Sequence, residues 1–404
     1  MRAMLENIKF PELFFGFVSP MGVNIDEVIP ELEKYLQEND YHVVHIRVTD
    51  LFQVVAKQIP PDKPLKNEPL QERYETHISY GNQLRRHFDD QAILSSLVVS
   101  EISRTRENYY KKSETPQSSR YQKVAYIIRQ FKNKDEVNFL RTIYGKSFFQ
   151  ISIYSRRSAR VHNLAVKMAS SNNDSDVNKY RSFAEKLISV DENEKDTYGQ
   201  KVSKIFHDAD YIINTDALNI DVKNQVDRFC ELIFSSNSKS PTKIEYGMFF
   251  AKAAALRSLD LSRQVGAAIF TSSGEIVSLG SNEVPKALGG TYWEEEDGKF
   301  DARDYTIKKD PNVTRKKEII SELISIIKNS DEDNDKILEK EDVKNAQIMD
   351  ILEFGRIVHA EMSAISDAAR LGKACLKLPF FVLLTHATCA QSTLSHQESL
   401  KFIF

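Results

Sequence analysis

The segment Leu13-Phe-Phe-Gly16-Phe-Val18 is aromatic and apolar throughout and is ended by Ser19-Pro20-Met21-Gly22, which makes it a buried strand closed by a turn. A helix is expected next, with Asp26 as its N-cap and Val28, Ile29, Leu32, Tyr35 and Leu36 at helical spacing, stopping near Asn39-Asp40. Tyr41 to Val48 then forms a second strand, so the chain opens with a strand-loop-helix-strand unit of a parallel sheet. The layout continues through a strand at Val124–Arg129, a helix at Lys134–Tyr144 with Val137, Leu140 and Tyr144 on one face, and a strand at Phe148–Tyr154. Two strands joined through a helix imply a right-handed crossover. Ala209–Asn214 and a helix from about Val222 to Phe234 close the series, after a polar loop at Ser170–Ser175.

A chain of 404 residues exceeds one ordinary domain, and the polar run Ser235-Ser-Asn-Ser-Lys-Ser-Pro241 reads as a linker. The expected division is 1–234 and 241–404, an α/β fold in both parts. Lys and Arg number 55 against 58 acidic residues, so no global basic field recruits nucleic acid. Three cysteines, Cys230, Cys375 and Cys389, cannot make a disulfide framework and suit a reducing compartment. The longest early apolar run, Leu13 to Val18, is too short to span a bilayer. The cytoplasm is the expected location, and a homo-oligomer the expected assembly.

The first half resembles P-loop nucleotide kinases in layout, with a first strand running into a glycine loop. Gly16 and Gly22 bound that loop, but their gap is wrong, and Val23 and Asn24 stand where the family places Lys and Ser or Thr. The resemblance therefore implies a degenerate phosphate loop, and a nucleotide-sensing or structural domain rather than a kinase. Arg156, Arg157 and Arg160 follow a strand end, where such sheets present ligand contacts. They read either as phosphate-binding residues or as a solvated face.

The second half opens with a helix from Ile244 carrying Met248, Phe249, Ala251, Ala255 and Leu256. Val265–Phe270 and Glu275–Leu279 form a hairpin over Thr271-Ser-Ser-Gly274. Later, His359-Ala-Glu361 begins an alanine-rich helix whose packed face is expected at Met362, Ile365, Ala368 and Ala369. A His and a Glu two apart in a first helical turn can point into one pocket, although the three-residue motif alone more often marks an ordinary histidine, since short motifs recur by chance. Between Trp293 and Asp350 lies an insertion with acidic runs Glu294–Asp297 and Ser330–Asp335, expected to be solvated. The amphipathic piece Thr314–Lys328, with Ile319, Ile320, Leu323 and Ile326, suits a pocket cover or a subunit contact.

Helix, hairpin and His-Ala-Glu helix, in this order, resemble the deoxycytidylate deaminase family over residues 244 to about 374. The whole chain looks like the bacterial anti-phage dCTP/dCMP deaminases that carry a P-loop-like domain in front. Three pieces carry the resemblance: Ala254–Ala268, Gly280-Ser-Asn282-Glu-Val-Pro285 and Val358-His359-Ala-Glu361. It implies a cytidine-deaminase-like α/β/α domain, a zinc ion, His359 as a metal ligand and Glu361 as the proton carrier of a hydrolytic attack on C4 of cytosine. It also implies a deoxycytidine nucleotide as substrate, with Asn282 on the sugar and Arg263 and Gln264 at the nucleotide end. Read without the resemblance, Arg263 is a helix C-terminal charge and Asn282 a turn former.

The family completes its zinc site with a Pro-Cys-x-x-Cys turn some two dozen residues after the His. Here the chain reads Leu383-Leu-Thr-His386-Ala-Thr-Cys389. His386 and Cys389 keep the two-residue gap, so a His359, His386, Cys389 site is chemically open. The standard genetic code offers another explanation. Read one frame over from Thr385, the codons permit Pro-Cys-His-Met-Cys followed by an amphipathic helix, whereas Ser392–Ser399 in frame makes no comparable element. A frame slip between about Ala374 and Leu384 is therefore expected, with residues from about 375 onward out of frame; if the slip is real, the deaminase domain is incomplete at its C-terminal side, lacks two zinc thiolates and is inactive in this copy, whereas a His359, His386, Cys389 site would leave it active. The alternative function is a nucleotide-binding sensor or regulatory protein with a degraded deaminase domain.

Overall fold

The computed structural model describes residues 10–112, 123–194, 196–216, 221–261, 263–295, 297–327, 337–344, 346–351, 354–375, 378–383 and 402–403. The chain divides into two compact units, Met1–Lys239 and Ser240–Phe404.

The first unit is built on a five-stranded parallel sheet. Its strands are β1 (Leu13–Val18), β2 (His42–Arg47), β3 (Val124–Arg129), β4 (Phe148–Tyr154) and β5 (Tyr211–Asn214), in the order β2-β3-β1-β4-β5. β1 pairs with β3 from Leu13↔Ala125 and with β4 from Phe14↔Phe148. The continuous apolar character of β1 follows from its central place, because a parallel strand covered on both faces has no polar side. Phe14, Tyr126 and Phe148 pack into one face of the sheet, while Phe15, Phe17, Ile127 and Ile151 pack into the other. Gly16 lies inside β1, where a Cβ would come 2.5 Å from the Phe148 ring, so packing requires the glycine.

Helices α1 (Ile25–Glu38), α2 (Leu70–Phe88), α3 (Ile93–Lys112), α4 (Lys134–Tyr144), α5 (Arg157–Ser171), α6 (Arg181–Glu192) and α7 (Val222–Ile233) complete this unit. Asp26 is not the N-cap of α1. Asn24 holds that position without a side-chain cap bond, and Asp26 sits in the first turn, with its carboxylate on Arg129. α4 has the capping box that its sequence encodes: Asn133 caps the turn and the Glu136 carboxylate takes the Asn133 N–H. Glu136 also receives Arg85 of α2 at 2.6 Å, a pair with both side chains 2% exposed. Removing either partner would leave a buried charge, at a cost of about 3–5 kcal/mol.

The second unit places an antiparallel hairpin between two helices. Its longer helices and its strands are α8 (Lys243–Ala255), β6 (Gly266–Phe270), β7 (Ile276–Ser281), α9 (Pro311–Ile327), α10 (Ala360–Arg370), β8 (Phe380–Leu383) and β9 (Phe402–Ile403), with strand order β7-β6-β8-β9. A capping box starts α8, with Thr242 and Glu245 exchanging bonds. Two glycines set the layer spacing. A Cβ on Gly266 would lie 1.8 Å from the Ala251 carbonyl of α8, and one on Gly280 would lie 2.1 Å from the Ala360 carbonyl of α10. Ala268 and Phe270 face α8, whereas Ala267, Ile269 and Val277 face α10.

The packed face of α10 is Ala360, Ala364 and Ala368, not the expected Met362, Ile365 and Ala369, which are exposed. The physical reason is the close approach at Gly280: a helix this near a sheet admits only methyl groups. The insertion also departs from expectation. Arg303, Asp304, Asn312 and Lys316 are buried within it, Lys316 donates to the Met349 carbonyl and Asn312 to that of Ile351. Glu294, Glu295 and Asp297 are exposed as expected, and Ser330–Asp335 lie outside the described residues. In α9 Ile320 is buried and Leu323 is exposed.

Candidate active site

The candidate site forms where β7 runs out beneath the start of α10. Val358 donates its N–H to the Glu283 carbonyl at 3.0 Å, an isolated antiparallel bridge that ties the segment before α10 to the segment after β7. His359 is the N-cap of α10, with extended backbone, and its carbonyl accepts the Ser363 N–H at 2.9 Å. Its imidazole is exposed and makes no hydrogen bond among the described residues. Glu361, in the first turn, is only 8% exposed, and its carboxylate has neither a hydrogen bond nor an ion pair among the described residues. The helix N-terminus favours that negative charge. Two residues apart, an open imidazole and a buried, unpartnered carboxylate therefore lie at one helix start.

Asn282 stands on the bridged segment, and its side chain is fully engaged. Nδ2 donates to Asp260 Oδ2 at 2.7 Å and to the Arg263 carbonyl at 2.8 Å, while Oδ1 accepts the Val265 N–H at 2.6 Å. Its backbone N–H reaches the Val265 carbonyl, and its carbonyl accepts the Ser258 hydroxyl at 2.7 Å. Asn282 thus clamps the turn between α8 and β6. Arg263 and Gln264 sit on that turn and are exposed, with the Gln264 amide donating to the Asp260 carbonyl. Glu283, which neither composition nor motif singled out, is buried beside Asn282 and accepts the N–H groups of Leu259 and Val284. Burial pushes its carboxyl above the ordinary range. Its place two residues past β7, opposite the histidine strand, was the available signal.

Among the described residues, no group of three or more His, Cys, Asp and Glu side chains is arranged to hold a metal. His386 and Cys389, the other expected ligands, lie outside the described residues, as does most of the stretch of the frame argument. The described pair fits zinc in chemistry: an exposed imidazole at a helix start, which is a zinc ligand type, and a buried carboxylate without a partner among the described residues.

In the first unit, the arginines expected to contact a nucleotide are paired with carboxylates, and Gly22 packs against the backbone of one of them. Gly22 does turn with φ of 84°, and a Cβ there would meet the Arg160 carbonyl at 2.2 Å. Arg156 is paired with Asp216, while Arg157 and Arg160 are both paired with Glu192 at 2.7 Å.

The family comparison falls on the second unit. Residues 241–394 match the model of the cytidine and deoxycytidylate deaminase zinc-binding region. That family suggests a hydrolytic, zinc-dependent cytidine deaminase and Zn2+ as its metal. No curated protein matches the chain. No helix among the described residues is long and apolar enough to cross a membrane.

Proposed function

We propose that the second unit catalyses zinc-dependent hydrolytic deamination of a deoxycytidine nucleotide, dCMP or dCTP, to the deoxyuridine nucleotide. The observation that carries this reading is Glu361, a carboxylate 8% exposed with no partner among the described residues, two positions from an exposed and unbonded His359. Burying a carboxylate unpaired costs free energy, and a site keeps such a group when a substrate supplies its partner.

In this reading His359 holds zinc together with His386 and Cys389. Zinc, when bound, supplies the Lewis acid that makes water a nucleophile at neutral pH. Glu361 accepts one proton of the attacking water and delivers it to the ring nitrogen, then takes the second from the hydroxyl added at C4 and delivers it to the amino group, which leaves as ammonia when the C–N bond breaks. Asn282 acts by holding the turn that presents Arg263 and Gln264, whose exposed side chains meet the sugar-phosphate end. Depletion of dCTP during phage infection is the physiological role that this chemistry supports.

The test is deamination of dCMP and dCTP by the purified chain, with zinc measured in parallel. Glu361→Gln is expected to lower turnover by about 10²–10⁴-fold while zinc stays bound, because only the proton carrier is removed. His359→Ala is expected to lose zinc. Equal activity in both variants and the parent chain would defeat the reading. Activity that appears only when the shifted frame is restored would replace His386 and Cys389 by the two thiolates of that frame.

A further inference from the structure

The segment that delivers His359 has little regular structure of its own. Residues 355–357 belong to no helix or strand, and the chain then meets its neighbour through the Val358 N–H, which the Glu283 carbonyl accepts at 3.0 Å. A metal ligand carried on such a segment needs ties from other elements, because a site works only when its side chains are held to a fraction of an ångström and irregular chain opens easily.

The insertion supplies those ties at three points before the histidine. Lys316 of α9 donates to the Met349 carbonyl, Asn312 of the same helix donates to the Ile351 carbonyl at 2.9 Å, and Arg356 is paired with Asp304. One nitrogen of the Arg356 guanidinium bonds both the Asp304 carboxylate and the Ala302 carbonyl, the latter at 3.0 Å. The two side chains differ in burial, with Asp304 5% exposed and Arg356 38%. Arg356 is the one partner that the Asp304 carboxylate has among the described residues. A carboxylate at that depth is costly to leave alone, so it draws the arginine in from solvent to a single place.

Arg303, the residue before Asp304, addresses the other tie. Asp301 holds its guanidinium at 2.7 Å, and its charge attracts the buried Glu283 carboxyl, the residue whose carbonyl takes Val358. The segment is thus fixed at alternate residues, Arg356 and Val358, and neighbouring residues of the insertion act on both.

We propose that Asp304 is a positioning residue of the deaminase site. Acting through Arg356, it fixes the chain three residues before His359, so that the imidazole and the Glu361 carboxylate arrive together at the start of α10. The insertion is then a working part of the second unit, which sets zinc affinity and turnover. The inference rests on the deaminase reading, and Asp304 and Arg356 both lie outside the three pieces that carry the family resemblance.

The test compares the full chain with Arg356→Met, Arg356→Lys and Asp304→Asn. Hydrogen exchange at the amides of residues 355–363 is followed in the zinc-free chain, zinc affinity is measured by competition with a chelating dye, and kcat and KM are measured with dCMP. Arg356→Met and Asp304→Asn are expected to speed exchange at these amides by about tenfold or more. Both are expected to weaken zinc binding and lower kcat by about 10–100-fold, the usual effect of losing a residue that orients a metal ligand. KM is expected to stay within about threefold of the parent value, because the contacts to substrate are left in place. Arg356→Lys keeps a cation on Asp304 and is expected to restore most of the loss. Unchanged exchange and zinc affinity in Arg356→Met, a loss confined to the melting temperature, or a raised KM with kcat kept overturns the proposal. If Asp304→Asn does not fold, the two variants at the partly exposed Arg356 decide the matter. A parent chain with neither zinc nor turnover overturns the deaminase reading and this inference with it, whereas an active, zinc-bound parent chain matched by its variants overturns this inference alone.

Discussion

Gly280 of β7 lies so close to Ala360 of α10 that a Cβ built on the glycine would come 2.1 Å from the Ala360 carbonyl and 2.4 Å from the Ala364 N–H. The contact sets the depth at which the His359–Glu361 turn rests on the sheet. Gly280→Ala forces β7 and α10 apart, because the clashing atoms are backbone and cannot rotate away. Overpacking of this kind costs about 1–3 kcal/mol. The expected outcome is a lower melting temperature, together with a loss of deaminase turnover larger than that fall explains, since the proton carrier moves with the helix. Melting curves and turnover measured on the same preparation check this, and unchanged values for both would show that the layers have room to spare.

The same contact explains what could be read in the sequence and what could not. β1 was legible because a strand covered on both faces must be apolar at every position, and Leu13–Val18 is. The helix after His359 was legible as a helix, but its buried side was not. Hydrophobicity points to Met362 and Ile365, whereas a glycine on another element selects Ala360, Ala364 and Ala368. His359 and Glu361 stood out through their spacing, while Glu283 did not, because its meaning comes from pairing with Val358 across 75 residues. Charge in the insertion misled in the other direction, since Arg303 and Asp304 are buried as partners of Asp301 and Arg356.

Asp301 provides a pH-dependent test within that insertion. Hydrogen bonds from Arg303, chief among them those of its guanidinium, together with the Thr306 hydroxyl, hold its carboxyl at about 2. An unfolded aspartate titrates near 3.9, so the folded state favours the ionised form. The stabilisation is complete above about pH 4 and is lost as pH falls through about 2. Asp301→Asn is therefore expected to lower stability at pH 7 by up to about 2 kcal/mol, with the gap from the parent chain closing as the solution is acidified. Urea melts at pH 7 and pH 3 compare the full gap with one that has partly closed; a gap that widens toward acid would contradict the assignment.

Asp191 of α6 is fully buried, and its carboxylate joins three parts of the first unit: the Met21 N–H of the loop after β1, Lys132 beyond β3, and α6 itself. Asp191→Ala leaves Lys132, also largely buried, without its counter-charge and the Met21 N–H without an acceptor. Breaking a buried pair from one side costs about 3–5 kcal/mol, whereas replacing both members by apolar residues is often close to neutral. The single variant is thus expected to be strongly destabilised, and Lys132→Met combined with Asp191→Leu to recover much of the loss. The double-mutant cycle in urea measures the coupling directly. Additive losses would mean that the two side chains act independently, and that the loop after β1 is held by its own backbone turn rather than by the carboxylate beneath it.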